Sequence, residues 1–364
     1  MLLVALTAAA PGTKTPAIAA GPAPRPAELR CLSECSGIRA GAEGAKVRIS
    51  GKRLGRVDEV RFAGEPSIVA VAPDRAEATR LVVTVPPGAV SGRVRLVWGA
   101  GAKRSVPDPL TVVSSDRVPQ GFSLRSAHLT PKRAFFDQRR PIRLRYRFEA
   151  SERTGVRIEV ARKSSGSTIR TYRRPGLLPY GLHRQGWDGL KGGGAVAPDG
   201  AYRLRVGAFG RGAAGAGTLQ FFGYRFPVRG SHGYGGYLQS FGAPRSGGRR
   251  HQGHDVYASC GTPLEAARGG RVQARAYDDR LYGHYVVIDV RASSADHMYA
   301  HMPSPSPFGK GDRVRTGERV GAVGKTGNAR TTPCHLHFEI WPNGWRSGSP
   351  VDPEPALRRW DGWS

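Results

Sequence analysis

Three short strings toward the C-terminal end of the chain concentrate side chains that can hold a metal and move protons. His251 and Asp255 lie in RRHQGHD, His301 in MYAHM, and His335 and His337 in CHLHFEIW. A mono-zinc hydrolytic centre takes three protein ligands and keeps a fourth position open for water. It also needs groups beside that water that accept a proton, return it to a leaving group or hydrogen-bond a developing oxyanion. These five residues can supply both sets.

The elements that must position them read as strands. Side chains two apart on a strand share a face, so HLHFEI predicts that His335 and His337 project together while Leu336 and Phe338 face the core. Two neighbouring imidazoles are costly to bury unless they bind a metal or a partner. His251 and Asp255 flank Gly253, which is expected to let the chain bend and bring both side chains to one point. A carboxylate and two neutral imidazoles leave zinc with net positive charge and therefore Lewis-acidic. His254 is expected to point away from Asp255, at the surface or the groove wall. His232 and His297 read as loop histidines, and His128 and His183 as structural residues of upstream domains. YVVIDV and RVGAVG are expected to complete the sheet with LHFEIW.

The 364 residues suit two or three domains, and Gly 50 and Pro 28 favour turns over long helices. Residues 36–114 alternate at period two in KVRISG, EVRFAG, RLVVTVPP and RVRLVWG, predicting a small antiparallel sandwich. The order of these strings resembles the immunoglobulin-like IPT/TIG modules. Residues 122–228 repeat the pattern at Ile142 to Phe148, Val156 to Val160 and Tyr202 to Val206. Trp187, Asp188 and Gly189, followed by Gly200 and Tyr202, resemble the immunoglobulin-like domain of flagellar hook-capping proteins. Trp187 is expected to plug this sandwich and Asp188–Gly189 to make a tight turn. Both modules read as spacers. Residues 1–20 carry a short apolar run and an AIA string that suit an export signal. Residues 21–35 read as a Pro/Ala-rich linker and residues 356–364 as a tail. No stretch approaches the roughly 20 apolar residues of a membrane helix.

Lys+Arg 56 against Asp+Glu 28 gives a net charge of +28, which favours polyanionic partners such as an anionic cell envelope. The arginines alternate with apolar residues, as in IRLRYRF and YRLRV, so they read as solvated strand faces. Neither a basic cluster nor a binding motif marks a specific nucleic-acid groove. Cys31, Cys35, Cys260 and Cys334 allow three pairings. Cys31–Cys35 and Cys260–Cys334 are favoured, because the second pair would pin the two segments that carry the candidate ligands.

From FGAPRSGGRRHQGHD to NGWRSGSPVDPEPAL, about 120 residues within an expected domain at 230–355, the text resembles the catalytic domain of the lysostaphin-like, LytM-type zinc metallopeptidases. The His-x-x-x-Asp string followed by a downstream His-x-His is the specific part of the match. The resemblance implies that His251, Asp255 and His337 bind one zinc ion per chain and that His301 and His335 are catalytic. It also implies an all-β chain overall: two immunoglobulin-like sandwiches, then a compact antiparallel metallopeptidase sheet with the zinc in an open groove. The expected activity is hydrolysis of peptidoglycan peptide bonds by a secreted, wall-associated monomer. A catalytically silent wall-binding activator and a zinc protease of Gly-rich extracellular proteins are the alternatives. His284 stands where many members have Asn, and Val290–Arg291 stand where many have a His soon after the strand; these departures bear on the groove, not the ligands.

Overall fold

Alternating apolar and polar residues make strands through most of the chain. The computed structural model describes residues 22–364, so the expected export signal lies outside the described residues. The architecture is all-β, with the eight-residue segment Glu354–Asp361 as the α-helix among the described residues. Two compact units are present, and each is described by itself.

The first unit runs to Phe122 and takes in Glu149–Arg153 and Leu178–Tyr180. One four-stranded sheet joins Arg25–Cys31, Lys46–Lys52, Arg80–Thr84 and Arg75–Ala76, and a second joins Ala102–Ser105, Arg95–Trp98, Glu59–Phe62 and Val69–Val71. Leu29, Val47, Ile49, Val60, Phe62, Leu81 and Val83 form a shared apolar core. The expected linker at 21–35 is therefore corrected. Leu29 and Cys31 are buried, and their strand pairs antiparallel with Lys46–Lys52. Pro and Ala composition concealed an alternating strand. Cys31 and Cys35 form a disulfide.

In the second unit, residues between 123 and 222, apart from the two segments named above, supply two sheets. Ser123–Thr130, Ile142–Glu149 and His183–Trp187 form one. Thr168–Leu177, Thr154–Arg162, Gly200–Ala208, Ala213–Phe222 and Arg133–Phe135 form the other. Trp187, buried, bridges the two sheets, with its ring 5.0 Å from those of Tyr202 and Phe221. Asp188 accepts from the Leu190 amide at 3.0 Å, and Gly189 has φ +80°, the turn that Asp-Gly favours.

The remaining residues build an antiparallel seven-stranded sheet. Its order is His232–Tyr234, His254–Ala258, His335–Trp341, Asp296–Met302, Gly283–Val290, Gly270–Asp278 and Arg313–Val314. Val256, Val286, Ile288, Tyr299, Leu336 and Phe338 face one core. The expected tail at 356–364 is also corrected: Leu357 and Trp360 of the C-terminal helix are buried in that core, and Trp360 stacks 4.7 Å from Tyr224. Cys260 and Cys334 are bridged, with Cα atoms 5.3 Å apart.

One carboxylate ties the two parts of this unit together. Asp137, just past the Arg133–Phe135 strand, accepts from Arg291, Arg313 and Arg315 on one oxygen at 2.8, 2.8 and 2.9 Å. Its side chain is 1% exposed, whereas the three guanidiniums are 40–45% exposed, so water screens part of the attraction. Nearby, Thr316 accepts from the Gly269 amide at 2.9 Å and donates to the Phe136 carbonyl. Asp137→Ala is expected to cost about 2 kcal/mol, since it leaves three like charges without their acceptor. Asp137→Asn, which keeps an oxygen but no charge, is expected to cost less; urea unfolding of both variants checks the order.

Candidate metal centre

Three adjacent strands, the second to fourth of the sheet, place the site. Asp255 lies directly opposite His337, and His337 directly opposite Ala300. His335, His337, Glu339 and Trp341 share one face of their strand, and Leu336 and Phe338 fill the core behind it, as the alternation predicts. His251 reaches the same point from the preceding loop. Gly253 is needed there for close approach, not for an unusual bend. A Cβ would sit 2.4 Å from the Phe338 carbonyl and 2.9 Å from the His337 ring.

Three donor atoms converge. His251 Nε2 lies 2.9 Å from His337 Nδ1 and 3.2 Å from Asp255 Oδ1, and His337 Nδ1 lies 2.9 Å from the same oxygen. The far nitrogen of each ring is already committed. His251 Nδ1 donates to the Ser240 carbonyl and His337 Nε2 to Glu339, both at 2.9 Å. Glu339 in turn accepts from Trp341 Nε1 at 2.7 Å. These bonds fix the tautomers so that two imidazole lone pairs and a carboxylate face one point. Buried lone pairs so arranged repel unless a cation lies among them, so the donor set fits a metal ion with one oxygen and two nitrogen ligands.

Burial would lower the His337 imidazole, but hydrogen bonds with Asp255 and Glu339 outweigh it and raise the group to about 9. Burial likewise pushes the Asp255 carboxyl up, while His251 and His337 together hold it far below the usual carboxylate range.

His301 and His335 stand beside the donors with rings 4.9 Å apart. Each Nδ1 donates to a backbone carbonyl at 2.9 Å, His301 to Thr326 and His335 to Pro333. Each Nε2 is thereby left as an acceptor; that of His335 lies 3.9 Å from Asp255 Oδ1. Burial is the first cause that depresses both, and it takes His301 to about 3 with the neighbouring His337 and His335 adding to it. His301 has φ 62°, in the left-handed region, where its strand carries one residue more than its partner between Tyr299 and Met302. A left-handed non-glycine residue costs about 1–3 kcal/mol and re-aims its side chain.

A cleft of about 670 Å³ opens over these residues. Arg245, Arg249, Arg250, Gln252, Tyr282 and Asn328 also line it.

Residues 249–353 match the sequence profile of peptidase family M23. The chain carries an M23 peptidase domain. Among curated relatives, the L-Ala--D-Glu endopeptidase of Bacillus subtilis (strain 168) is 28% identical over 149 residues, 38% of this chain and 43% of that protein. The glycyl-glycine endopeptidase ALE-1 of Staphylococcus capitis is 29% identical, over 30% of each chain. The chain thus spans less than half the length of these relatives. The solved catalytic domain of lysostaphin from Staphylococcus simulans is 27% identical, covering 35% of this chain and 92% of that one, with a TM-score of 0.31.

All five sequence-predicted residues meet at the cleft, and three other histidines differ from expectation. His254 points away from Asp255 but is fully buried, not at the surface or groove wall. The C-terminal helix covers it, and its Nδ1 lies 3.4 Å from Glu354. His297 lies in a strand, not a loop, and packs in the core 5.2 Å from Phe338 and 5.7 Å from Trp360. Burial pulls it down to about 3. His232 also lies in a strand, hydrogen-bonded to the Gly230 carbonyl and Asp361. Sequence reasoning missed Glu339, although HLHFEIW places it two residues past His337 on the same face. It also missed Arg245, which the fold brings 3.9 Å from Asp255 with no local signal.

Glu339→Gln is expected to lower divalent-metal affinity about 10–100-fold, because the carboxylate that orients His337 is lost. Competition with a chelator measures this. Gly253→Ala is expected to lower both metal affinity and melting temperature, since its Cβ cannot fit beside the Phe338 carbonyl.

Proposed function

We propose that the chain is a zinc metalloendopeptidase that hydrolyses peptide bonds of bacterial peptidoglycan outside the cell membrane. The observation that carries this reading is the convergence of His251 Nε2, Asp255 Oδ1 and His337 Nδ1 at 2.9–3.2 Å beneath an open cleft. In this reading those three residues hold one zinc ion. The ion supplies a Lewis acid that activates water and polarises a carbonyl.

The protein's own groups do the rest. Glu339 and the Ser240 carbonyl keep His337 and His251 in the ligating tautomers. His335 and His301, neutral and with Nε2 free of other hydrogen bonds, can accept a proton from the attacking water and return it to the leaving amine. Arg245, Arg249 and Arg250 at the cleft suit a peptide that bears carboxylates. The curated relatives are named as endopeptidases, one of them for L-Ala–D-Glu bonds.

The domain assignment is part of the proposal: residues 36–114 and 122–228 as immunoglobulin-like spacers and 230–355, with its C-terminal helix, as the catalytic domain. Export follows from the substrate. The net charge of +28 suits retention on an anionic envelope.

The purified chain is expected to bind one zinc and to release new amine termini from isolated peptidoglycan. Chelation should abolish release, and added zinc should restore it. His337→Ala is expected to lose metal and turnover together. His335→Ala is expected to keep zinc while kcat falls at least 100-fold. Zinc binding without release from any wall type would favour the silent activator. Cleavage of soluble polyglycine but not of wall would favour a protease of Gly-rich proteins.

A further inference from the structure

The arginines that alternate along the sequence are gathered on one face. In the Ile142–Glu149 strand, Ile142, Leu144, Tyr146 and Phe148 are buried while Arg143, Arg145 and Arg147 are exposed. The neighbouring His183–Trp187 strand buries Gln185 and Trp187 and exposes Arg184 and Gly186. The register sets Arg145 directly opposite Arg184 and Arg143 opposite Gly186. Alternate residues on a strand stand about 7 Å apart, and directly opposed Cβ atoms about 5 Å. Four guanidiniums thus share a small patch of one sheet.

None of the four makes an ion pair or a side-chain hydrogen bond among the described residues. Glu149, the carboxylate in the same row, stands half-buried at its far end. Like charges directly opposed across a pair of strands are destabilising. The other sheet of the same module is arranged differently. There Glu159 lies between Arg157 and Arg205, at 2.9 and 3.2 Å. There one carboxylate neutralises two neighbouring arginines, whereas Arg143, Arg145, Arg147 and Arg184 are left for an external anion.

We propose that the outward face bearing Arg143, Arg145, Arg147 and Arg184 binds a flexible polyol-phosphate polymer of the cell envelope. Guanidinium forks pair with phosphate in bidentate fashion, and a row of them matches a chain with a charge at every short repeat. Apart from half-buried Glu149 at the end of the row, the outward residues of these two strands are arginine and glycine, so the two strands offer no exposed aromatic ring for stacking bases and no exposed side-chain amide to read them. That disfavours nucleic acid as the occupant. The inference rests on the envelope-retention part of the proposed function and is independent of the chemistry in the cleft.

The test is binding of the full-length protein to fluorescent poly(glycerol phosphate) across a salt series. The test variant replaces Arg143, Arg145, Arg147 and Arg184 with Thr. A charge-matched variant replaces Arg56, Arg93, Arg95 and Lys103, exposed residues of the first unit. The face variant is expected to bind at least tenfold more weakly. Its slope of log affinity against log salt should be shallower by about 3, given roughly 0.7 per phosphate contact on a single-stranded polyanion. The charge-matched variant should change less than about threefold. The melting temperature of the face variant should hold or rise, since uncompensated repulsion is removed. Equal losses in the two variants would overturn the inference and leave only a general charge effect. Tighter binding of duplex DNA than of poly(glycerol phosphate) through the same four residues would overturn it in favour of a nucleic-acid surface. No binding by the wild type would overturn the inference and the retention reading together, while leaving cleavage of isolated peptidoglycan unaffected.

Discussion

Two imidazole nitrogens and a carboxylate oxygen meet within 3.2 Å in a buried place, each turned inward by a hydrogen bond or a strand register behind it. Such an arrangement is unfavourable without positive charge at its centre, and the protein commits considerable structure to keeping it. Glu339 and Trp341 hold one ring, a loop carbonyl holds the other, and Gly253 clears space for their approach. The seven-stranded sheet is the rigid frame that keeps these tolerances. Asp255 and His337 sit across from one another in the same register that packs Leu336 and Phe338 behind them. Core packing and site assembly are therefore one requirement.

The histidines around this point divide by what their second nitrogen does. His251 and His337 spend it on orientation and turn the other inward. His301 and His335 spend theirs on carbonyls of adjoining loops and keep a free acceptor over the cleft. Burial disfavours the charged form of both, so each presents a neutral lone pair to the cleft. His254 and His297 are equally buried but lie on the core side, where the C-terminal helix closes over them.

Much of this was legible in the sequence because strands encode faces in steps of two. HLHFEIW specified which side chains share a surface, and IRLRYRF specified an apolar row backed by a charged one. Information set by distant pairing was not legible. The left-handed turn at His301 arises where paired strands differ by one residue. Arg245 meets Asp255 only through the fold. The Arg25–Cys31 strand and the C-terminal helix were hidden by composition and by brevity, and each was revealed by its partner in a core. The clustering of Arg143, Arg145, Arg147 and Arg184 shows the same limit. Alternation located each side chain on a face, but only the register between two strands showed that they share it without a carboxylate between them.

The strand His335–Trp341 stores the active face as parity. Odd-numbered positions carry the two imidazoles, the carboxylate that orients His337 and its indole, while even-numbered positions carry the core. An insertion or deletion of a single residue within it would exchange the two sets, presenting Leu336, Phe338 and Ile340 to the cleft and driving imidazoles into hydrocarbon. The connecting turns can absorb a change of length without exchanging the two faces, whereas the strand can absorb only substitution.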